Sequence, residues 1–177
     1  FKNRLIKLFL PKVVRFLTIK EFVEDISSVS DEQRLFTNPY RDEVCKYNLL
    51  NYLQHLKSNK VDIMLIGEAP GYRGCALTGI PFTDEIQLTY PENNYALGDW
   101  KRSSKIGNTA ERSASIIWPA IREYHIIPLM WNVFPFHPYK EGKRASNRTP
   151  TQRELEEGLK YIDALKTIFQ INDSQVF

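Results

Sequence analysis

The sequence predicts an α/β fold, a three-layer α/β/α sandwich around a small, mostly parallel central sheet. Three observations carry that reading. Two apolar runs, "VDIMLI" at 61–66 and "IIPLMWNVF" at 126–134, lack polar alternation, as strands buried on both faces do. A helical segment at 113–124 lies between them, so the two strands can be joined in parallel. Each run ends in a loop of unusual composition. If the strands are parallel, both loops share one edge of the sheet, where open α/β sheets bind ligands.

The elements follow in chain order. Residues 1–40 are expected to form a helical arm packed on the body. Its opening, "FKNRLIKLFLPKVVRFL", is basic and apolar together, and Lys7 and Pro11 interrupt any signal-peptide core. Residues 42–57 place apolar side chains at helical spacing, with acids near the start and Lys57 near the end, which suits the helix dipole. The strand at 61–66 then runs into a loop holding Gly67, Pro70, Gly71, Gly74, Gly79 and Pro81. Ordering such a loop costs much backbone entropy, so it needs a purpose.

Within the helix at 113–124, Pro119 is expected to kink or interrupt the ladder. Residues 151–169 read as the clearest helix, entered through a Thr151-x-x-Glu154 capping box after Pro150. The closing "NDSQVF" resembles a turn and the first residues of another strand. A parallel sheet of two strands is too small to stand, so a further portion of the natural protein is expected beyond Phe177. Residues 1–177 read as a single domain.

Bulk composition narrows the class. With 177 residues, 42% hydrophobic and 25% charged, the chain suits one globular domain and not a disordered one. A net charge of +3 is compatible with a polyanionic partner without requiring one. Cys45 and Cys75 lack disulfide-framework or zinc spacing, which points to a reducing, cytoplasmic setting. His55, His125 and His137 are too scattered for a metal cage, and no metal is expected. No apolar run approaches a membrane span, so no membrane partner is expected.

The glycine-rich loop is neither of the common phosphate binders. It lacks a Gly-Lys-Ser/Thr ending, and its glycines do not follow the dinucleotide spacing. Taken in order, "GEAPGYRG" at 67–74, "TGIPF" at 78–82, "NVFPFHP" at 132–138 and "NRTPT" at 147–151 resemble the uracil-DNA glycosylase superfamily. The resemblance covers about residues 61–170 and reaches more faintly back to "NPYRDEVCKYNLLNYL". It is nearest to the thermophile-type branches.

That resemblance implies a monomeric DNA-repair glycosylase, which flips a uracil or other deaminated base out of DNA and cuts the bond to its deoxyribose. Asn132 matches the residue that reads the flipped base; a carboxamide complements the N3–H donor and O4 acceptor of uracil. Phe82 matches the aromatic that stacks on it. Glu68 matches a carboxylate linked to water positioning. Gly67, Ala69, Pro70 and Gly71 line the loop that meets the nucleotide. His137 is a candidate donor to a phosphate or a base carbonyl, though it does not match the family's His-Pro element, which follows a later strand. Arg148, beside Asn147, and the basic run Lys140, Lys143 and Arg144 are candidates for the DNA backbone. Each has a structural alternative: a loop-bonding Asn132, a core Phe82, a loop-tying Glu68, a loop-stabilising His137, and solvated surface cations.

Three positions depart from the family pattern. Ala69 stands where the best-known branch has a catalytic Asp, and alanine cannot orient water. Gly71 stands where that branch has the Tyr that excludes the thymine methyl. Phe136 stands where a related branch has a cluster-binding cysteine, so no iron–sulfur cofactor is expected. The sequence is also compatible with two other functions: a catalytically silent nucleic-acid-binding member, and a hydrolase of small nucleosides.

Overall fold

The computed structural model describes residues 18–32, 35–103 and 109–177. The expected arm therefore lies partly outside the described residues. What is described of it begins with Thr18, whose hydroxyl accepts the Glu21 N–H at the start of helix α1, Ile19–Ser28. This helix buries Phe22, Val23 and Ile26.

Asp42 caps helix α2 (Glu43–Ser58), accepting the N–H groups of Val44 and Cys45 at 2.9 and 3.1 Å. One face of α2 buries Leu49, Tyr52, Leu53 and Leu56. The Tyr52 hydroxyl donates to the Pro128 carbonyl at 2.7 Å and accepts the Met130 N–H at 2.9 Å, fastening the helix to the sheet.

The sheet pairs β2 (Ile63–Gly67) with β3 (Pro128–Asn132) in parallel, with Gly67 opposite Asn132. All five residues of β3 are buried, as its uninterrupted apolar run predicts. The chain end adds a parallel neighbour on the other side of β2. Val176 bridges Met64, the Phe177 N–H donates to the Met64 carbonyl at 2.9 Å, and the Ile66 N–H donates to the Phe177 carbonyl at 2.8 Å. A separate antiparallel pair joins β1 (Phe36–Thr37) to β4 (His137–Pro138).

The loop after β2 is not open coil. Among the described residues it contains three four-residue helices, α3 (Cys75–Thr78), α4 (Glu85–Leu88) and α5 (Asn94–Leu97). Helix α6 (Arg112–Tyr124) runs through Pro119. Proline removes one donor, but burial of Ala114, Trp118 and Ile121 on the same helix retains the remaining turns. Helix α7 (Gln152–Phe169) starts with the expected reciprocal cap between Thr151 and Glu154. It crosses the backbone after β3 so closely that a Cβ at Gly158 would overlap the Val133 carbonyl.

Aromatic side chains fill the centre. Tyr40 stacks on Trp131, and Phe22 meets Trp131 edge-on with centroids 5.4 Å apart. Phe136 lies against Phe36 and Phe134, with centroids 5.1 and 5.4 Å away. Cys45 and Cys75 are buried free thiols, and burial pushes both well above the usual thiol range. Among the described residues, no helix is long and apolar enough to cross a membrane.

Candidate active site

The carboxyl ends of β2 and β3 lie side by side, and the loops leaving them are tied together at once. The Val133 N–H donates to the Gly67 carbonyl at 2.8 Å, and the Phe134 N–H to the Glu68 carbonyl at 3.0 Å. At this seam three of the residues singled out from sequence meet. A Cβ on Gly67 would collide with the Asn132 carboxamide oxygen and lie 2.8 Å from Cζ of Phe82. Gly67 is therefore a glycine because a ring and an amide face its Cα.

Asn132 is 4% exposed, and its carboxamide makes no hydrogen bond to the described residues. Among the described residues the loop backbone therefore does not take the amide.

Phe82 is held in the left-handed region, φ 55°, which costs a side-chain-bearing residue roughly 1–2 kcal/mol. Its carbonyl accepts the indole N–H of Trp118 at 3.0 Å, so α6 holds the strained residue in place. Backbone strain of this kind gathers where a side chain must be aimed.

A family model of the uracil DNA glycosylase superfamily matches residues 54–176. The chain belongs to that superfamily. Among solved structures it is similar to wild-type SMUG2 of Pedobacter heparinus, with a TM-score of 0.60 and 16% identity, covering 86% of this chain and 72% of that one. That likeness speaks to the fold. Among curated protein sequences, no similar one is found.

Within this uracil-DNA glycosylase-type fold, the other sequence candidates divide. Glu68 is exposed, and its carboxylate meets no described partner while its backbone is fixed by Phe134. Ala69 is half-buried and packs against the core, and Pro70 is buried. His137 is placed differently from the donor expected of it. It is 3% exposed, with Nδ1 2.8 Å from the Pro70 carbonyl and Nε2 3.1 Å from the Arg144 carbonyl. Both ring nitrogens face backbone oxygens, which makes His137 a strut between two loops.

Arg148 is likewise occupied. Its guanidinium donates to both oxygens of Glu154 at 2.6 and 2.7 Å, and to the Leu35 and Thr149 carbonyls. Burial pushes the Glu154 carboxyl up, but hydrogen bonds from Arg148 and Thr151 outweigh it and hold the group below its usual range. The planar fork that would suit a phosphate is spent on an internal carboxylate.

Sequence reasoning missed Trp118 and Glu111. The Glu111 carboxylate lies against Gly71 and Gly74, so a Cβ at either glycine would overlap it. Its N–H donates to Asp84 at 2.7 Å, and Asp84 also caps α4 through Gln87. Burial, then the charge of Asp84, raise the Glu111 carboxyl above its ordinary range. No local pattern signals this contact, because it joins segments about forty positions apart. The space that Gly71 leaves in sequence is thus partly taken by Glu111.

Clefts are also found elsewhere among the described residues. One of about 730 Å³ is lined by Ile19, Lys57, Thr167 and Ile168 among others. It lies away from the carboxyl ends of β2 and β3, where ligands of open α/β sheets bind.

Proposed function

We propose that the chain is a DNA-repair glycosylase that hydrolyses the N-glycosidic bond of uracil or a related deaminated base after the nucleotide flips out of DNA. The observation that carries this reading is the convergence of the Asn132 carboxamide, unpaired among the described residues, with Gly67 and the ring of Phe82. An extruded pyrimidine would stack on Phe82, worth roughly 1–3 kcal/mol. It would also supply the hydrogen bonds Asn132 lacks. Cytosine presents the reversed donor and acceptor at that edge and would leave buried groups unpaired.

In the reaction, the C1′–N bond breaks and its electron pair leaves on the base. Water adds to C1′ and gives up a proton, and the base takes up a proton. Charge develops on the departing base, so donors aimed at it lower the barrier. The Asn132 amide N–H groups are the candidates for that role. Ala69 supplies no carboxylate for the water. Glu68, one residue before Ala69 and standing in solvent, is the candidate to orient that water. The lesion's 5-substituent would approach Gly71, where Glu111 narrows the space. The enzyme is proposed to act as a monomer and without a cofactor.

A second reading, a silent nucleic-acid-binding member, is favoured by Ala69. Single-turnover assays on oligonucleotides carrying uracil, hypoxanthine or xanthine separate the two. Free base released from one of them supports the glycosylase. Salt-sensitive DNA binding with no base released from any supports the silent module.

A further inference from the structure

The turn at 140–144 stands out on the surface. Residues 140–145 are all exposed, and Lys140, Lys143 and Arg144 carry no carboxylate partner among the described residues. Some other cations, Lys46, Arg148, Arg153 and Lys166 among them, are paired with an acid; the turn itself carries three cations against one acid, Glu141. This exposed turn is also firmly built. The Lys143 N–H donates to the Lys140 carbonyl at 2.8 Å, and Gly142 at φ 73° closes the bend. Ser146 accepts the Lys140 N–H at 3.0 Å and donates to the Lys143 carbonyl at 2.6 Å. Solvated lysines in a mobile loop would need none of this.

The turn is fastened to the glycine-rich loop, across some seventy positions of sequence, at two points. His137 bridges the Arg144 and Pro70 carbonyls. Asn147 accepts the Tyr72 N–H at 3.1 Å. A displacement of the turn therefore reaches the backbone between Pro70 and Tyr72 through one buried ring and one amide.

We propose that the basic turn 140–144 is a contact for the sugar-phosphate backbone of DNA, and that His137 is the positioning residue tying this contact to the glycine-rich loop. The proposal takes DNA as partner from the functional reading above, but needs no base to be released. Phosphates engage the three cations, and the strut sets the loop that follows Gly67 in register with them. Backbone binding and order in the loop are then coupled.

Two readouts on the 177-residue chain with an undamaged, fluorescein-labelled duplex test it. The first is the salt dependence of binding, followed by anisotropy. The second is hydrogen exchange of the loop amides, Gly71 to Gly74, at saturating duplex. In the unmodified chain, DNA slows their exchange. Lys143→Ala with Arg144→Ala lowers the slope of log K against log salt by about 1.5–2, the loss of two phosphate contacts, and removes the slowing even at saturation. His137→Phe keeps the slope but loses the slowing, whereas His137→Gln, which still donates to one carbonyl, retains part of it.

A slope unchanged in the double variant, or no duplex binding at low salt, overturns the contact. Slowing that persists in His137→Phe, or in the double variant, overturns the coupling. Should His137→Phe fail to fold, His137→Gln carries the comparison, and slowing in that variant as large as in the unmodified chain overturns the coupling. Failure of base release in the separate assay leaves these outcomes as they stand and counts against the glycosylase reading alone.

Discussion

The indole N–H of Trp118 donates to the carbonyl of Phe82 at 3.0 Å, and Phe82 sits at φ 55°. A helix thus clamps the one strained aromatic that borders Asn132 through Gly67. Trp118→Phe keeps most of the buried ring and removes the donor. It should cost about 1–3 kcal/mol in denaturant unfolding, the penalty for a buried carbonyl left unpaired. Base release at saturating DNA should slow by more than the stability loss explains, because Phe82 is then free to leave its aimed conformation.

Phe82 itself separates strain from function. Phe82→Gly relieves a left-handed backbone, whereas Phe82→Ala retains the strain, so the glycine variant should be the more stable of the two by about 1 kcal/mol. Both lack the stacking ring and should be equally poor at base release. Thermal melting and single-turnover assays on the pair check this.

Gly67→Ala places a methyl where the Asn132 oxygen and the Phe82 ring already are. The ring or the amide must shift. Base release should fall at least about tenfold, a cost of roughly 1.4 kcal/mol at the transition state, while the circular dichroism spectrum is retained.

Arg148 serves the fold in this account. Arg148→Met leaves Glu154 buried without its cation and should destabilise the chain by about 1–3 kcal/mol at neutral pH. Glu154 is held below its usual range, so the stabilisation is present above the ordinary carboxylate value and is lost as pH falls through the lowered one. Urea midpoints of variant and wild type should therefore converge in acid. Base release at saturating DNA should be unchanged.

Glu111 has the opposite sign. Its carboxyl is raised by burial and by Asp84, so the folded state favours the protonated form. That contribution is fully present below the ordinary glutamate value, about 4.3, and disappears as pH rises through the raised one. Glu111→Gln should flatten this fall, seen as a smaller difference between urea midpoints at pH 4.5 and pH 7.5.

Much of the fold was legible because it was local. The runs around Met64 and Trp131 are apolar without alternation, and both became adjacent parallel strands. Thr151 and Glu154 announce a capping box in four letters, and the cap is there. The reading of "NDSQVF" as strand matches Val176 and Phe177 pairing with β2. Helices α3, α4 and α5 were not foreseen, since four residues are too few to show a period. Pro119 was given more power than it has within a helix whose buried face holds it.

The site was legible only in part, for the same reason. Gly67 and Asn132 are brought together by strand register, and Phe82 joins them through the bond from Trp118. In sequence, Arg148 is expected to meet DNA from its place in the family-like "NRTPT" segment, and His137 is open between a donor and a loop-stabilising role. Sequence could not reveal that the Pro70 and Arg144 carbonyls take both nitrogens of His137, or that Glu154 takes the guanidinium of Arg148. Glu111 and Trp118 act through contacts 27 to 40 positions away, which no single stretch of sequence displays.

The most direct measurement is single-turnover release of uracil from a uracil-containing oligonucleotide by the wild type and by Asn132→Ala at saturating DNA. The account predicts release by the wild type and a loss of about 100-fold in the variant, the ~2.7 kcal/mol of two hydrogen bonds made with the departing base, with thermal stability retained. Release by Asn132→Ala at the wild-type rate would contradict it.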